Sequence, residues 1–315
     1  MTMMKRLEYQ QYGGPQVMRV APFTLDVPGK GQVAVRVTSA AINPIDWKMR
    51  QGDMKIVTGK RFPRAMGMDL AGTVLAVGPG VTRFQVGDEV FGQSRFKECG
   101  ALGTAVIANE NALARKPAGL DFDQAACLGS PGITAWNALF DKAGLTAGQQ
   151  VFINGCMGAV GEAAVQLARS AGVRVAGTCS EADMERARAL GVEQVYDYRR
   201  TDLTGIATRY DAVFDTAANL TGAVGFGLLK PGGVLLDLHP TPGKFLRAVF
   251  NRQLKLVLCT PRAELLDQLA RKAGDGALRL TIGKVAPLDD AIAMITALEQ
   301  GQRLGGKAVI RMDGP

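Results

Sequence analysis

The alternation of apolar and polar positions divides the chain into two kinds of sequence. From Arg6 to about Lys116 the apolar runs are short and separated by turn residues. Val33-Ala-Val-Arg-Val-Thr38 alternates, Gly72-Thr-Val-Leu-Ala-Val-Gly78 runs into the turn pair Pro79-Gly80, and Val86-Gly-Asp-Glu-Val-Phe-Gly92 is bracketed by glycine. With no helical period between them, these runs predict a compact β barrel or sandwich. Near Leu120 the period lengthens. Asp121–Leu128 and Ile133–Phe140 read as helices, and from Val151 strands alternate with helices. Strands are expected at Val151–Ile153, Val173–Cys179, Gln194–Asp197, Asp211–Asp215, Gly233–Leu238 and Leu254–Leu258, with helices at Glu162–Gly172 and Glu181–Leu190. Such alternation gives a doubly wound parallel sheet with its ligand at the carboxyl ends of the strands. From Pro261 the tail predicts helices Ala263–Lys272 and Leu288–Glu299 around a strand near Leu280, then a strand Lys307–Arg311 able to rejoin the first region. The expected division is 1–118, 119–260 and 261–315: a β domain interrupted by a Rossmann domain, with a cleft between them.

The stretch Asn154-Gly-Cys-Met-Gly-Ala-Val-Gly161 joins an apolar strand to an alanine-rich helix. Gly155 and Gly158 reach backbone angles closed to other residues and let the main chain approach a pyrophosphate, while Gly161 lets the helix lie close on the sheet. The first-turn N–H groups of that helix, about Ala159 and Val160, point at the anion. A glycine-rich turn also merely connects strands to helices, but the strand following at Val173 completes a βαβ unit of the length a dinucleotide site needs. Cys156 is either a thiolate favoured by the helix N-terminus or a packed small residue, and Met157 lines the same turn.

Composition narrows the classes. At 315 residues the chain suits two domains, and its apolar runs are far shorter than a membrane span. The start lacks the apolar segment of a signal peptide, so a cytoplasmic protein is expected. The net charge of +8 comes from Lys and Arg scattered along the chain, which argues against a nucleic-acid partner and leaves a modest attraction for an anionic cofactor. Cys99, Cys127, Cys156, Cys179 and Cys259 form no C-x-x-C pair, and neither a disulfide framework nor a zinc knuckle is expected.

Several segments, in order, carry a resemblance: Ala41-Ile-Asn-Pro-Ile-Asp-Trp-Lys48, Gly67-Met-Asp-Leu-Ala-Gly-Thr-Val74, Gly87-Asp-Glu-Val-Phe-Gly92, Ile133-Thr-Ala-Trp136, the glycine corner, Leu229-Lys-Pro-Gly-Gly233 and Gly306-Lys307. Over essentially its whole length the chain resembles the medium-chain dehydrogenase/reductase superfamily, and within it the zinc-independent quinone oxidoreductase branch. The resemblance implies an α/β protein: a GroES-like β-barrel catalytic domain with an inserted Rossmann domain. The catalytic zinc ligands of metal-dependent members fall around Asn43, at Met68 and near Pro131, none of them a workable zinc ligand. His239 is the only histidine, and the structural zinc lobe has no counterpart. No metal is expected.

The chemistry so implied is transfer of hydride from NAD(P)H to a quinone or to an α,β-unsaturated carbonyl, with a donor or water to stabilise and protonate the developing oxyanion. Asn43, Asp46 and Lys48 stand where the family faces nicotinamide and substrate. Lys48 replaces the tyrosine of several quinone reductases and leans toward enones; it is either that donor or a surface lysine. Asn43 holds the nicotinamide ribose or the substrate carbonyl, or only forms a turn before proline, and Asp46 either serves the site or caps the helix that follows. Thr134, Thr216, Ala217, His239 and Lys307 are cofactor contacts by resemblance, His239 being alternatively a solvent-facing residue. The adenosine end is ambiguous. An acid about 20 residues beyond the glycines, here Glu181, suits the ribose 2′-OH of NADH. The family implies NADPH held by serine, a base and tyrosine, matched by Ser180 and Tyr198, with Arg199 or Arg186 as the base. NADPH is placed first. A homodimer paired through Leu254–Leu258 is expected by the same resemblance. An enoyl-thioester reductase and a non-catalytic NADPH- or RNA-binding relative are the alternatives.

Overall fold

The computed structural model describes residues 4–239 and 241–312. They form two compact units, one of residues 1–130 with 261–315 and one of residues 131–260. The first boundary lies beyond the expected 118 because the helix Phe122–Cys127 packs on the strands Gln32–Ala41 and Asp69–Val77, so it belongs with the strands that precede it. Its capping residue, Asp121, accepts from Gln124 N at 2.7 Å.

The strand-rich unit is built on Gln32–Ala41, a ten-residue strand long enough to serve several partners. It pairs antiparallel with Asp69–Val77, with Ala105–Asn109 and with Lys307–Arg311, and its register against Asp69–Val77 slips twice. Such irregularities bend a strand and let one strand join sheets on different sides. The returning tail therefore completes this sheet, with Val309 opposite Ala41 and Ile42 N donating to Ala308 O at 3.0 Å. The neighbouring strand near Leu280 is Ile282–Pro287, parallel to Lys307–Arg311. A core of Leu7, Val33, Val35, Leu70, Val90, Leu102 and Leu113 fills the unit. At its edge the helix Pro44–Gln51 is started by Pro44 at its first turn and stopped by Gly52 at φ 98°.

The second unit is the expected parallel sheet. Six strands lie in the order Gln194–Asp197, Arg174–Cys179, Gln150–Asn154, Tyr210–Asp215, Leu229–Asp237 and Leu254–Leu256. The first in sequence, Gln150–Asn154, is central, so the order reverses between it and Tyr210–Asp215. That reversal opens a crevice at the carboxyl ends, where doubly wound sheets bind ligands. Local departures from the expected elements have local causes. Glu181–Asp183 is a 3-10 turn, so the regular helix starts only at Met184. The helix expected at Ile133–Phe140 starts at Gly129 and loosens after Trp136 into a π turn, Asn137–Lys142. The last strand stops at Leu256, short of Leu258. Among the described residues no helix is long and apolar enough to cross a membrane.

Candidate functional site

The glycine corner lies at the carboxyl end of the central strand of the parallel sheet. Gly155 takes φ 81°, a region that excludes side chains cheaply only for glycine. Its N–H donates to Thr178 Oγ1 at 2.9 Å, and Cys156 N donates to Thr178 O at 2.9 Å, which ties the turn to the neighbouring strand. A Cβ on Gly161 would overlap Gly155 O and lie 2.8 Å from Cys156 Cα, so glycine is needed for the helix to seat. Gly158 differs: a Cβ there would meet nothing nearer than Gly155 O at 3.5 Å. The protein itself therefore does not need glycine at 158, whereas a ligand approaching the main chain does. The first helical bond runs from Glu162 N to Gly158 O at 2.7 Å, leaving the N–H groups of Ala159, Val160 and Gly161 without intrahelical acceptors. Free amides, a bare backbone and a positive helix end together fit a pyrophosphate.

Asn154 and Thr216, expected as cofactor contacts, brace this turn from beneath. Asn154 Nδ2 donates to Asp215 Oδ1 at 2.8 Å and to Asn219 Oδ1 at 2.7 Å, and Thr178 Oγ1 donates to Asn154 Oδ1 at 2.7 Å. Thr216 Oγ1 donates to Asn154 O at 2.7 Å, while Ala217 beside it is exposed. Cys156 is fully buried against Cys179. Its hydrogen bond with Cys179 and its burial both raise its pKa, so it is a packed thiol and no thiolate. Thr134 is buried in the helix Gly129–Trp136, and Met157 sits at the turn with its carbonyl 3.4 Å from Arg186 Nη2. His239 is exposed two residues past the strand Leu229–Asp237, its N–H donating to Asp237 Oδ1 at 2.7 Å.

At the end of the strand Arg174–Cys179, Glu181 is not free. Arg200 grips both of its oxygens, at 3.0 Å each, and lies 3.7 Å from Asp197. Ser180 Oγ donates to Asp183 Oδ2 at 2.6 Å, and the Arg199 guanidinium lies 5.4 Å from the centre of the Tyr198 ring. Arg199 and Arg186 are the bases expected here; Arg200 carries no local signal, because its pairing with Glu181 needs the loop after Asp197 to fold back.

Within the strand-rich unit, Asn43, Asp46 and Lys307 are brought together in a buried network that also holds Asp69, Gln93 and Ser130. Lys307 Nζ donates to Asn43 Oδ1 at 2.6 Å and to Ile42 O at 2.7 Å. Asn43 Nδ2 donates to Asp69 Oδ2 at 2.8 Å and to Ala41 O at 3.2 Å. Asp69 further accepts from Ser130 Oγ at 2.6 Å, Ser130 N at 2.8 Å and Gln93 Nε2 at 3.2 Å. The Asn43 amide is thus oriented from both ends, by an ammonium that requires an acceptor and a carboxylate that requires a donor. Both of its amide hydrogens are used, so towards a ligand it retains only an acceptor lone pair. Lys307, expected at the cofactor, is the group that holds the Asn43 carbonyl oxygen. Lys48 sits half-buried on the helix Pro44–Gln51, its side chain without a hydrogen bond or ion pair among the described residues.

Asp46 forms a capping box with Asn43, accepting from its N–H through Oδ2 at 2.8 Å, while Oδ1 is buried without a partner. Burial raises its pKa to about 7, the Asn43 N–H and Lys307 oppose, and Asp69 adds to the rise. Asp69 itself is raised by burial, against the nearby Lys307 charge and the Ser130 bonds. A carboxyl raised in the folded state binds its proton more tightly there than in the unfolded chain. Its stabilisation is therefore complete below the unfolded pKa of about 4 and is lost as pH rises through about 7. Asp46→Asn keeps the acceptor to Asn43 but cannot ionise. Relative to this variant, the native chain should lose stability between about pH 4 and about pH 7, read from denaturation midpoints. Parallel pH profiles for the two would contradict a proton held at Asp46.

The residues at the expected zinc positions do not fit that metal: Asn43 offers a neutral amide already held by Lys307 and Asp69, and Met68 offers a thioether within a cluster of Met49 and Cys99. Among the described residues no group of three or more His, Cys, Asp or Glu side chains is arranged to hold a metal ion.

Comparison with known proteins places these units. Residues 29–132 match the alcohol dehydrogenase GroES-like domain, and residues 190–310 match the zinc-binding dehydrogenase family. The chain is 31% identical over 321 residues to 2-methylene-furan-3-one reductase of Solanum lycopersicum, covering 98% of this chain and 79% of the relative. It is 29% identical over 334 residues to quinone oxidoreductase of Sus scrofa, covering 98% of each. Among solved structures, the quinone oxidoreductase from Coxiella burnetii superposes with a TM-score of 0.90 at 29% identity, covering 99% of this chain and 100% of that one. Fold, glycine corner and full-length similarity agree: the chain belongs to the medium-chain dehydrogenase/reductase superfamily.

Proposed function

We propose that this chain is an NADPH-dependent reductase of quinones or α,β-unsaturated carbonyls. The observation that carries the reading is the turn at Gly155–Gly161, whose Gly158 is a glycine the folded protein does not itself require. The full-length relatives named quinone oxidoreductase and 2-methylene-furan-3-one reductase supply the substrate class. The nicotinamide, when bound, supplies the hydride. The amides of Ala159, Val160 and Gly161 hold the pyrophosphate. At the adenosine end Glu181, the acid that would favour a free 2′-OH, is occupied by Arg200, and the guanidinium groups of Arg199 and Arg200 offer charged donors to a 2′-phosphate, beside Ser180 and Tyr198. This supports NADPH over NADH.

Lys48 is the donor to the oxygen that becomes negative when hydride adds to the conjugated system. Its ammonium has no partner among the described residues to be drawn from, whereas Asn43, with both amide hydrogens used, cannot donate to that oxygen. Asn43 instead accepts from a hydroxyl, and Lys307 and Asp69 fix its direction.

Purified protein assayed for NADPH and NADH oxidation with quinones, enones and enoyl-thioesters tests the reading. Oxidation with quinones or enones, faster with NADPH, is expected; oxidation with thioesters alone would reassign the substrate, and none at all would overturn the reading. Lys48→Ala should lower turnover roughly tenfold to a hundredfold while leaving NADPH affinity within about twofold. Unchanged turnover would remove Lys48 from the chemistry.

A further inference from the structure

Three sulfur atoms converge inside the strand-rich unit, and the reductase reading uses none of them. Met49 is buried on the helix Pro44–Gln51, Met68 stands just before the strand Asp69–Val77, and Cys99 follows a turn at 96–98. The three side chains form a small cluster apart from the main core, and Ile45 and Met54 pack against it. Cys99 Sγ lies 3.8 Å from Met68 Sδ and 3.9 Å from Met49 Sδ.

The backbone at Cys99 is unusual for a residue with a side chain. It takes φ 54°, in the left-handed region, and is held there by Cys99 N donating to Arg95 O at 2.7 Å and Gly100 N donating to Gly67 O at 3.1 Å. Such strain persists only where the surroundings impose it, and it concentrates at ligand sites. The single S–H proton is offered three acceptors, the two thioethers and Phe96 O at 3.5 Å, and can point at only one of them. A soft cation in the place of that proton bonds the thiolate and both thioethers together. The spacing suits the replacement. Three sulfurs, each about 2.3 Å from one ion at the corners of a triangle, stand about 4.0 Å apart, so the observed separations require little movement.

The donors select the ion. Thioethers are ligands for copper(I), whereas zinc takes thiolate, imidazole and carboxylate, so this cluster suits the first metal and not the second. The surroundings suit a positive charge. The carboxyl of Asp46, one turn before Met49, is buried, its Oδ1 has no hydrogen-bond partner, and its charge acts on the Cys99 sulfur. Burial, with Asp46 adding and Arg64 opposing, pushes the Cys99 thiol up to about 12, so the sulfur keeps its proton at neutral pH until a soft metal displaces it. A cavity of about 110 Å³ is lined by Ala65, Glu98, Cys99 and Gly100, which gives an ion a route to the cluster.

We propose that Cys99, Met49 and Met68 form a copper(I) site. The Cys99 S–H proton leaves to solvent as the sulfur bonds the ion, both thioethers donate lone pairs to it, and no electron is transferred. The site is independent of the reductase reading and, when filled, ties the helix Pro44–Gln51 to the segment at Cys99.

Copper(I), kept reduced by ascorbate under nitrogen, is titrated into the full chain against the chromophoric chelator bicinchoninate. Retention of one ion per chain is expected, with X-ray absorption showing sulfur neighbours at about 2.3 Å and zinc(II) failing to compete. Met49→Leu and Met68→Leu conserve volume and apolar character, and each should weaken copper(I) retention roughly tenfold, while Cys99→Ser should abolish it. Melting of each variant without metal establishes that it is folded. Copper(I) should raise the melting midpoint of the native chain and not that of Cys99→Ser. Cys259→Ser, at the exposed thiol, should leave retention unchanged. Native protein that yields all its copper(I) to the chelator, or leucine and serine variants of the cluster that retain the ion as the native chain does, would overturn the proposal. So would loss of the ion in Cys259→Ser, since a surface thiol would then be the ligand.

Discussion

Asp69→Ala is expected to lower the unfolding free energy of the strand-rich unit by about 3–5 kcal/mol, because it removes one partner from a buried charged network. Asp69 is fully buried and accepts from Ser130 N, Ser130 Oγ, Gln93 Nε2 and Asn43 Nδ2, and its charge offsets that of Lys307. Alanine leaves these donors facing a void and Lys307 with a buried charge that nothing else balances as closely. Each orphaned donor costs about 1–3 kcal/mol, discounted where the cavity admits water. Asp69→Asn fills the same volume but presents an amide to donors that need an acceptor, so its loss should be smaller and not negligible. The site is shaped for the carboxylate: a Cβ on Gly129 would lie 2.6 Å from Asp69 Oδ1, so glycine there makes the room. Urea denaturation of the native chain and both variants measures the effect. A loss below about 1 kcal/mol for Asp69→Ala would mean that the network is no more than a set of independent surface-strength bonds.

The same network shows what sequence can and cannot carry. The parallel sheet was legible because its strands are continuous apolar runs spaced by helices, and the order of six strands follows from where the first of them lies. The glycine corner was legible because its requirement is a backbone one, and only glycine satisfies it at Gly155 and Gly161. Asp69 was not. It stands next to Met68, ahead of the apolar run Gly72–Gly78, and nothing local tells that its carboxylate meets Ser130, 61 residues later. The pairing of Lys307 with Asn43 was hidden too, since the two lie 264 residues apart and meet only because the final strand closes on Gln32–Ala41. Arg200 was hidden for the converse reason. Glu181 looked unopposed along the chain, and its base arrives from a loop 19 residues on. The convergence of Met49 and Met68 on Cys99 escaped too, because the period of a segment shows that an apolar face exists and not what meets it. Periodicity and backbone demands are local; pairing of charges is a property of the closed fold.

The glycines of the corner separate binding from folding, and two alanine substitutions should show it. At Gly158 the backbone is extended, φ −74° and ψ 163°, open to any residue, and an added Cβ meets only Gly155 O at 3.5 Å. Gly158→Ala should therefore leave stability within about 1 kcal/mol of the native chain. Its methyl group would, however, stand where the main chain must approach a pyrophosphate, and NADPH affinity should fall at least about tenfold, or about 1.4 kcal/mol. Gly161→Ala should behave oppositely in its cause. Its methyl group would overlap Gly155 O and press on Cys156 Cα at 2.8 Å, both of them backbone atoms that no rotamer change can move. The helix Ala159–Ser170 would have to lift from the sheet, costing about 1–3 kcal/mol or more, and NADPH binding would fail because the turn is no longer formed. Thermal melting with NADPH fluorescence titration distinguishes the two. If Gly158→Ala bound NADPH as tightly as the native chain while remaining folded, the turn would be a connector between strand and helix, and the dinucleotide would have to be sought elsewhere on the sheet.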